Sequence, residues 1–260
     1  MANVKWETII FMVIVHILGL VALLPQFWSW GSFLTFLTLY WVTACLGVTI
    51  GYHRLLSHRS FKVPQWVERF FATCGSLSAE YGPISWVGIH RQHHKFSDTP
   101  DDPHDIHKGF WWSHILWMFK YVPAEKNIPI YAKDLRKDPY YLWLDKYFLL
   151  LQVPLGLMLY LMGGWSFVLW GIFLRLAVVY QVTWLVNSAA HTWGDQPFSS
   201  QDKSTNSLWV ALLTFGEGWH NNHHAFPSSA RHGILPGQID ITWYHILLLK
   251  YLGLASNIRT

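Results

Sequence analysis

The sequence predicts an all-α membrane protein: four transmembrane helices in two hairpins, with a helical cytosolic cap that holds a di-metal site. Three observations carry that prediction. Hydrophobic residues make up 52% of the 260-residue chain and charged residues 13%, about half the charged share of a soluble domain. Aromatics reach 17%, with 17 Trp, as in proteins whose aromatic belts sit at the membrane interface. Four apolar stretches, at about residues 8–25, 32–51, 146–163 and 166–187, approach or reach the roughly 20 residues that span a bilayer as helix.

The first stretch carries Lys5 and Glu7 and has no small-residue cleavage site, so it reads as a span and not as a signal peptide. The links between the first two stretches ("PQFWSWG") and the last two ("GG") are short, which makes each pair a tight hairpin. Neither link holds Lys or Arg. Apart from Arg175, the cations fall at Lys5, between residue 52 and the start of the third stretch, and after 187. The positive-inside rule then places both termini and the middle segment in the cytosol. One domain, 1–260, follows, its cap drawn from 52–145 and 188–260. The net charge of +4 is dispersed and gives no nucleic-acid patch. Cys45 and Cys74 give no disulfide framework. In 62–78, Trp66, Val67, Phe70, Phe71, Cys74 and Leu77 recur at helical spacing on one face. This segment and "ITWYHILLLKYLGL" read equally as interfacial helices or as packed cap helices.

The histidines carry the chemistry. At about 100° per residue on a helix, His90, His93 and His94 of "HRQHH" share an arc of roughly 100°, and so do His220, His223 and His224 of "HNNHH". Each cluster is expected to aim three imidazoles at one point. His53 and His58 of "HRLLSH" are about 140° apart on an α-helix, which lets them flank a site and serve two different ions. Asn187 and His191 of "NSAAH" fall on one face. His16, His114 and His245 read as packing residues. The boxes and the NSAAH element together give nine candidate ligands: His53, His58, His90, His93, His94, His191, His220, His223 and His224. One HxxHH alone is as readily packing as metal. Two copies plus HxxxxH on one side of the membrane decide for metal, and nine ligands suit two ions, since a zinc site takes three or four. Imidazole accommodates Zn, Cu, Fe and Ni. A neutral shell leaves the metals electrophilic, and two redox-active ions can share the electrons that O₂ activation needs, so iron is the choice on chemistry. Glu217 forms an E-x-x-H pair with His220, a ligand pair in soluble di-iron bundles. Here it is expected to orient an imidazole through its other nitrogen. Asp98, Asp101, Asp102 and Asp105 are candidates for the same task, and equally for a solvated acidic loop.

From about Tyr40 onward, "GYHRLLSHRSF", "HRQHHKFSDTPDDPHD", "NSAAHTWG" and "GEGWHNNHHAFP" resemble the integral-membrane fatty acyl desaturases of the stearoyl-type Δ9 group. The resemblance implies a mushroom-shaped fold with a four-helix stem and a cap holding two Fe²⁺ on nine histidines. It also implies a water held by Asn187. A narrow apolar tunnel, bent near the irons and lined there by Trp86 and Trp184, is implied too; Leu37 and Trp41 are expected at its closed end. Acyl-CoA members often carry charged residues just before the first HxxHH, where this chain has Gly88 and Ile89. The short N-terminus and the lack of an HPGG motif bring the chain closer in look to cyanobacterial and plastid-type Δ9 acyl-lipid enzymes. The expectation is therefore O₂-dependent insertion of a cis double bond, at Δ9, into a saturated C16 or C18 chain of a membrane glycerolipid, with acyl-CoA as the alternative substrate. Ferredoxin is the expected electron donor, with cytochrome b5 as the alternative. The membrane would be of plasma, thylakoid or plastid type. Competing readings are a His-box hydroxylase, a metal transporter, whose ligands should lie at bilayer depth, and a haem binder, which needs only one or two of the nine.

Overall fold

The computed structural model describes residues 4–120 and 127–260. Among them the chain is helical, and strand pairing is confined to isolated bridges. Helix α1 (Trp6–Ala22) leads through one turn, Pro25–Phe27, into α2 (Trp30–Tyr40). Ser29 starts α2 sharply: its Oγ accepts from the Ser32 N–H at 3.0 Å, and Ser32 Oγ accepts from the Ser29 N–H at 2.9 Å, satisfying two end donors at once. Without a break, α2 continues as a π-wound segment, Trp41–Ser57. There the hydroxyls of Thr43 and Thr49 bond back to the carbonyls of Leu39 and Cys45, both at 2.7 Å, in competition with the ordinary helical ladder.

Helix α3 (Gln65–Ser76) lies along this π segment because two glycines open the way. A Cβ at Gly47 would stand 2.4 Å from the Cys74 carbonyl carbon, and one at Gly51 2.7 Å from the Phe71 oxygen. The apolar face expected over 62–78 is divided: Val67, Phe71 and Cys74 are buried, while Trp66 and Phe70 are exposed. Helices α4 (Pro83–Phe96), α5 (Phe110–His114), α6 (Ile128–Tyr131) and α7 (Pro139–Tyr147) follow. Then come α8 (Gln152–Val168), a π turn at Leu169–Leu174, and α9 (Arg175–Ser188). Within α8 the helix breaks at Gly163 and Gly164; the latter has φ +65° and ψ −154°, a conformation open to glycine and costly for other residues. The chain folds back there, with Gly156 against Ile172 and Gly171 against Leu159. Helices α10 (Leu208–Leu213), α11 (His220–Ala225) and α12 (Ile241–Tyr251) complete the chain. In α12, Thr242 and Ile246 are buried while Tyr244, Leu248 and Tyr251 are exposed.

Two helical runs are long and apolar enough to cross a membrane, Trp30–Ser57 and Pro139–His191, and α1 is a shorter apolar helix of 17 residues. Large apolar side chains cover their outer faces, among them Leu20, Trp30, Val153 and Leu161. Apolar exposure of this extent marks a membrane protein. Arg175, whose role the sequence left unassigned, is fully buried. It donates to the carbonyls of Gly171 and Leu77 at 2.7 and 2.6 Å and to Gln152 Oε1 at 2.9 Å. It ties α9 to the start of α8 and the end of α3, with no carboxylate among these partners.

The α3 contact gives a test. Gly47→Ala should destabilise the protein by at least about 2–3 kcal/mol, because its methyl meets rigid backbone, whereas exposed Leu161→Ala should change little. Thermal unfolding in detergent reads the difference, and equal unfolding temperatures for G47A and the parent would refute the described packing.

Candidate metal centre

Nine imidazoles from four parts of the chain converge. Their nitrogens form two groups, within each of which the ligand atoms lie within 4.8 Å of one another: His53, His58, His90, His94 and His223, and His93, His191, His220 and His224. This corrects two expectations. Neither HxxHH box aims three rings at one point. On α4, His90 and His94 are about 40° apart and face the first group, while His93, about 60° to their other side, faces the second. On α11 the split is mirrored, with His220 and His224 in the second group and His223 in the first. His53 and His58 do not serve different sites. The His58 N–H bonds to the His53 carbonyl at 3.1 Å, an i→i+5 closure. One wide turn thus sets the two rings 4.9 Å apart in the same group.

Four of the nine rings are aimed by carboxylates. His93 Nδ1 lies 2.8 Å from Asp102, His191 Nδ1 3.2 Å from Asp98 and His224 Nδ1 2.5 Å from Asp202. His53 Nδ1 is paired with Glu217 Oε2. Glu217 therefore faces an imidazole across the fold and not its sequence neighbour His220. Asp101 is exposed, and Asp105 caps the following turn through the His107 N–H at 2.9 Å; neither reaches the nine rings. With Nδ1–H held by a carboxylate, a neutral ring presents a bare lone pair at Nε2. The Nε2 atoms face each other: 3.4 Å for His93 and His224, 3.0 Å for His191 and His220, 3.0 Å for His53 and His223, 2.8 Å for His94 and His223, and 2.7 Å for His58 and His90. Facing lone pairs repel unless a cation stands among them. Ligand nitrogens about 2.0–2.1 Å from one ion lie roughly 3–3.4 Å apart, so the donor set fits metal. Burial first, and then the neighbouring imidazoles, hold His58, His90, His94, His220 and His223 well below the usual histidine range, in the neutral form that binds metal. For Glu217, burial alone would raise the carboxyl, but His53, His232 and Arg54 outweigh it and hold it well below the usual range.

The motif around the third box is built for this packing. Gly216 has φ +120°, and a Cβ there would meet Asp240 Oδ1 at 2.4 Å; one at Gly218 would meet the Ala211 nitrogen at 2.1 Å. Asn221 accepts from the Phe198 N–H at 2.9 Å, and Asn222 accepts from Asn206 Nδ2 at 2.6 Å, fixing α11 on the preceding loop. The histidines read as packing have ring nitrogens engaged elsewhere: His16 at the Met12 carbonyl, His114 at Ser188 and Gln181, His245 at the Ile241 carbonyl.

Beside the rings lies a cavity of about 270 Å³. Its walls run from exposed Glu7 and Leu149 to buried Glu80, His104 and Trp184. Trp86, His90 and Asn187 also line it, and Trp86 stacks on His90 with centroids 5.1 Å apart. Leu37 and Trp41 do not line it. They are exposed, Leu37 on α2 and Trp41 at the start of the π segment, where Trp41 Nε1 donates to His245 at 3.1 Å, so the expected closed end is misplaced. The cavity instead borders α1, at Phe11 and Met12. Sequence reasoning missed Glu80, His104, Asp202 and His232. Only the fold brings residue 202 to residue 224, but His232, a further histidine eight residues beyond the third box, was visible in the chain. Burial pushes the Glu80 carboxyl up to about 8 despite the side chains of Thr183 and Trp86, so at neutral pH it is a neutral acid in an apolar wall.

The family model for fatty acid desaturases matches residues 27–250. The chain is 51% identical over 257 residues to an sn-1 stearoyl-lipid 9-desaturase of Anabaena variabilis, covering 99% of this chain and 94% of that one. It is 47% identical to an sn-2 palmitoyl-lipid 9-desaturase of Nostoc, over 98% of this chain and 90% of that one. It is 45% identical to an acyl-CoA C20 Delta5-desaturase of Anemone leveillei, over 98% and 83%.

Glu80 yields a pH prediction. Its folded-state value lies above the 4.5 of the free group, so between about pH 4.5 and 8 the folded state binds more protons than the unfolded one, and stability from this group falls as pH rises. Glu80→Gln lacks that term. The stability of E80Q relative to the parent should therefore grow across this window, by about 1.4 kcal/mol per pH unit at most. Unfolding of both proteins at pH 5, 6.5 and 8 checks it; a constant difference would mean Glu80 is ionised throughout.

Proposed function

The chain belongs to the fatty acid desaturase family, and from that premise we propose that it is an acyl-lipid Δ9 desaturase, acting on a saturated C16 or C18 chain esterified in a membrane glycerolipid. The observation that carries the reading is the apolar cavity whose inner wall is formed by Trp86, Trp184 and His90, the last a member of the five-histidine group. The relatives named for stearoyl-lipid and palmitoyl-lipid substrates support the lipid-linked form. So does the packing at Gly88: a Cβ there would stand 2.5 Å from the Ile128 carbonyl oxygen. That position has no room for a side chain that would grip a CoA headgroup. The acyl-CoA relative keeps acyl-CoA as the second reading.

In this reading the five-histidine group and the four-histidine group would each hold one iron, and Asn187 would serve the second through a water. Two irons so held supply the redox chemistry by which O₂, two electrons and two protons, with the two hydrogens taken from C9 and C10, leave as two waters. The residues of the chain do the rest. Glu217, Asp98, Asp102 and Asp202 fix the rings and strengthen them as donors. The cavity walls exclude water and hold one methylene pair beside the rings, since an unactivated C–H has no acidic proton and position alone selects it. Trp86 and Trp184 shape the wall at that point, and Glu80 stays uncharged beside the chain. The membrane arrangement we propose has four crossings, near 8–25, 32–51, 146–163 and 166–187, with both termini and the histidine groups on the cytosolic face. An acidic ferredoxin, or alternatively cytochrome b5, would bring electrons to that basic face.

Expression in a host without its own desaturase tests the reading. The expected product is a cis-Δ9 monounsaturated chain in glycerolipid, and His223→Ala should lower it at least a hundredfold. Double-bond mapping after separation of lipid classes reads both. Undiminished product in H223A, or a hydroxylated chain, would refute the assignment; product confined to acyl-CoA would favour the second reading.

A further inference from the structure

His232 belongs to none of the three histidine boxes, yet it is 1% exposed and points into the centre. Its main chain is clamped from both sides. Asp240 Oδ2 accepts from its N–H at 2.7 Å, and its carbonyl accepts from Asn222 Nδ2 at 2.8 Å. The clamp therefore links the N-cap of α12 and the ligand-bearing helix α11 to this one residue. The ring lies against His223, centroids 4.4 Å apart and planes 32° apart, and 5.3 Å from the His53 ring. Its Nδ1 faces Glu217 Oε2 at 3.3 Å, the same oxygen that pairs with His53 Nδ1. The approach is off the ideal hydrogen-bond direction, and neither ring nitrogen has another partner. A buried imidazole with two idle nitrogens is costly in a core, and one of them, Nδ1, is turned toward a carboxylate that already orients a ligand.

We propose that His232 is a positioning residue of the five-histidine group: it steadies Glu217 through Nδ1 and His223 through its ring face, and so sets the aim of His53 and His223. The inference rests on the reading that the two groups hold two irons. The asymmetry is built into the geometry. His93, His191 and His224 of the four-histidine group have their own carboxylates, Asp102, Asp98 and Asp202, and none of these touches His232. Among the described residues the five-histidine group has only Glu217, and Glu217 is shared by His53, His232 and Arg54. Loss of His232 should therefore weaken one iron and leave the other.

The test uses full-length protein in detergent, reconstituted with ferrous iron enriched for Mössbauer spectroscopy and titrated with a competing chelator. His232→Phe keeps the ring face and loses the N–H, while His232→Asn keeps an N–H near the Nδ1 position; His232→Ala serves if Phe gives no folded protein. The expected result is that H232F, or H232A, weakens one iron about 10–100-fold and changes one of two ferrous signals, and that H232N, which keeps the N–H but not the ring face, loses less than H232F or H232A. Weakening of both irons alike, of neither, or equal loss in H232N would overturn the role of His232. A parent that does not take up two irons would overturn the di-iron reading itself, and this inference with it.

Discussion

The buried guanidinium of Arg54 is the interaction on which the rest is hung. It sits at the end of the π segment with no exposure to solvent. Its Nε and Nη2 donate to Glu217 Oε1 at 3.2 and 2.9 Å, its Nη1 and Nη2 to Asp240 at 2.9 and 3.0 Å, and its Nη1 also to the Ala230 carbonyl at 2.8 Å. A buried charge is tolerable only when paired and fully bonded, and breaking such a pair costs about 3–5 kcal/mol. Each partner has a second task. Glu217 aims His53, and Asp240 caps α12 by accepting from the Trp243 N–H at 2.9 Å and from His232. One cation thus joins the π segment, the loop before the third histidine box and the C-terminal helix.

Close backbone approach is the second constraint. Gly47 and Gly51 admit α3 onto the π segment, and Gly216 and Gly218 admit Asp240 and α10 onto the third box. None of these positions tolerates a Cβ without movement of backbone or of the Arg54 network. The π winding belongs with them, because the wider turn carries His53 and His58 to one group.

The chemistry then needs only a dry, shaped wall beside the rings. Trp86 meets His90 face to face and borders the cavity, so the same aromatic ring steadies an imidazole and forms part of the cavity wall. Among the described residues Glu80 is the single acidic side chain at the buried end of that wall, and burial itself keeps it uncharged.

Composition and spacing alone pointed to a helical chain with runs long and apolar enough to cross a membrane, to the histidines that gather, and to Glu217 and four aspartates as candidates to orient them. These were legible because apolar length, charge sparsity and residue chemistry are local properties. The tertiary structure decided which ring joins which group. A difference of about 100° between His93 and His94 becomes a choice between two sites only when α4 and α11 are packed face to face. It also decided that His53 and His58 stand together, since the α or π winding of a helix depends on what packs against it and not on a five-residue spacing. Asp202, Glu80 and the α1 wall of the cavity come from segments far apart in the chain. Leu37 and Trp41 were misplaced for the same reason: apolar spacing marks a face, and only packing says whether that face meets lipid or a cavity.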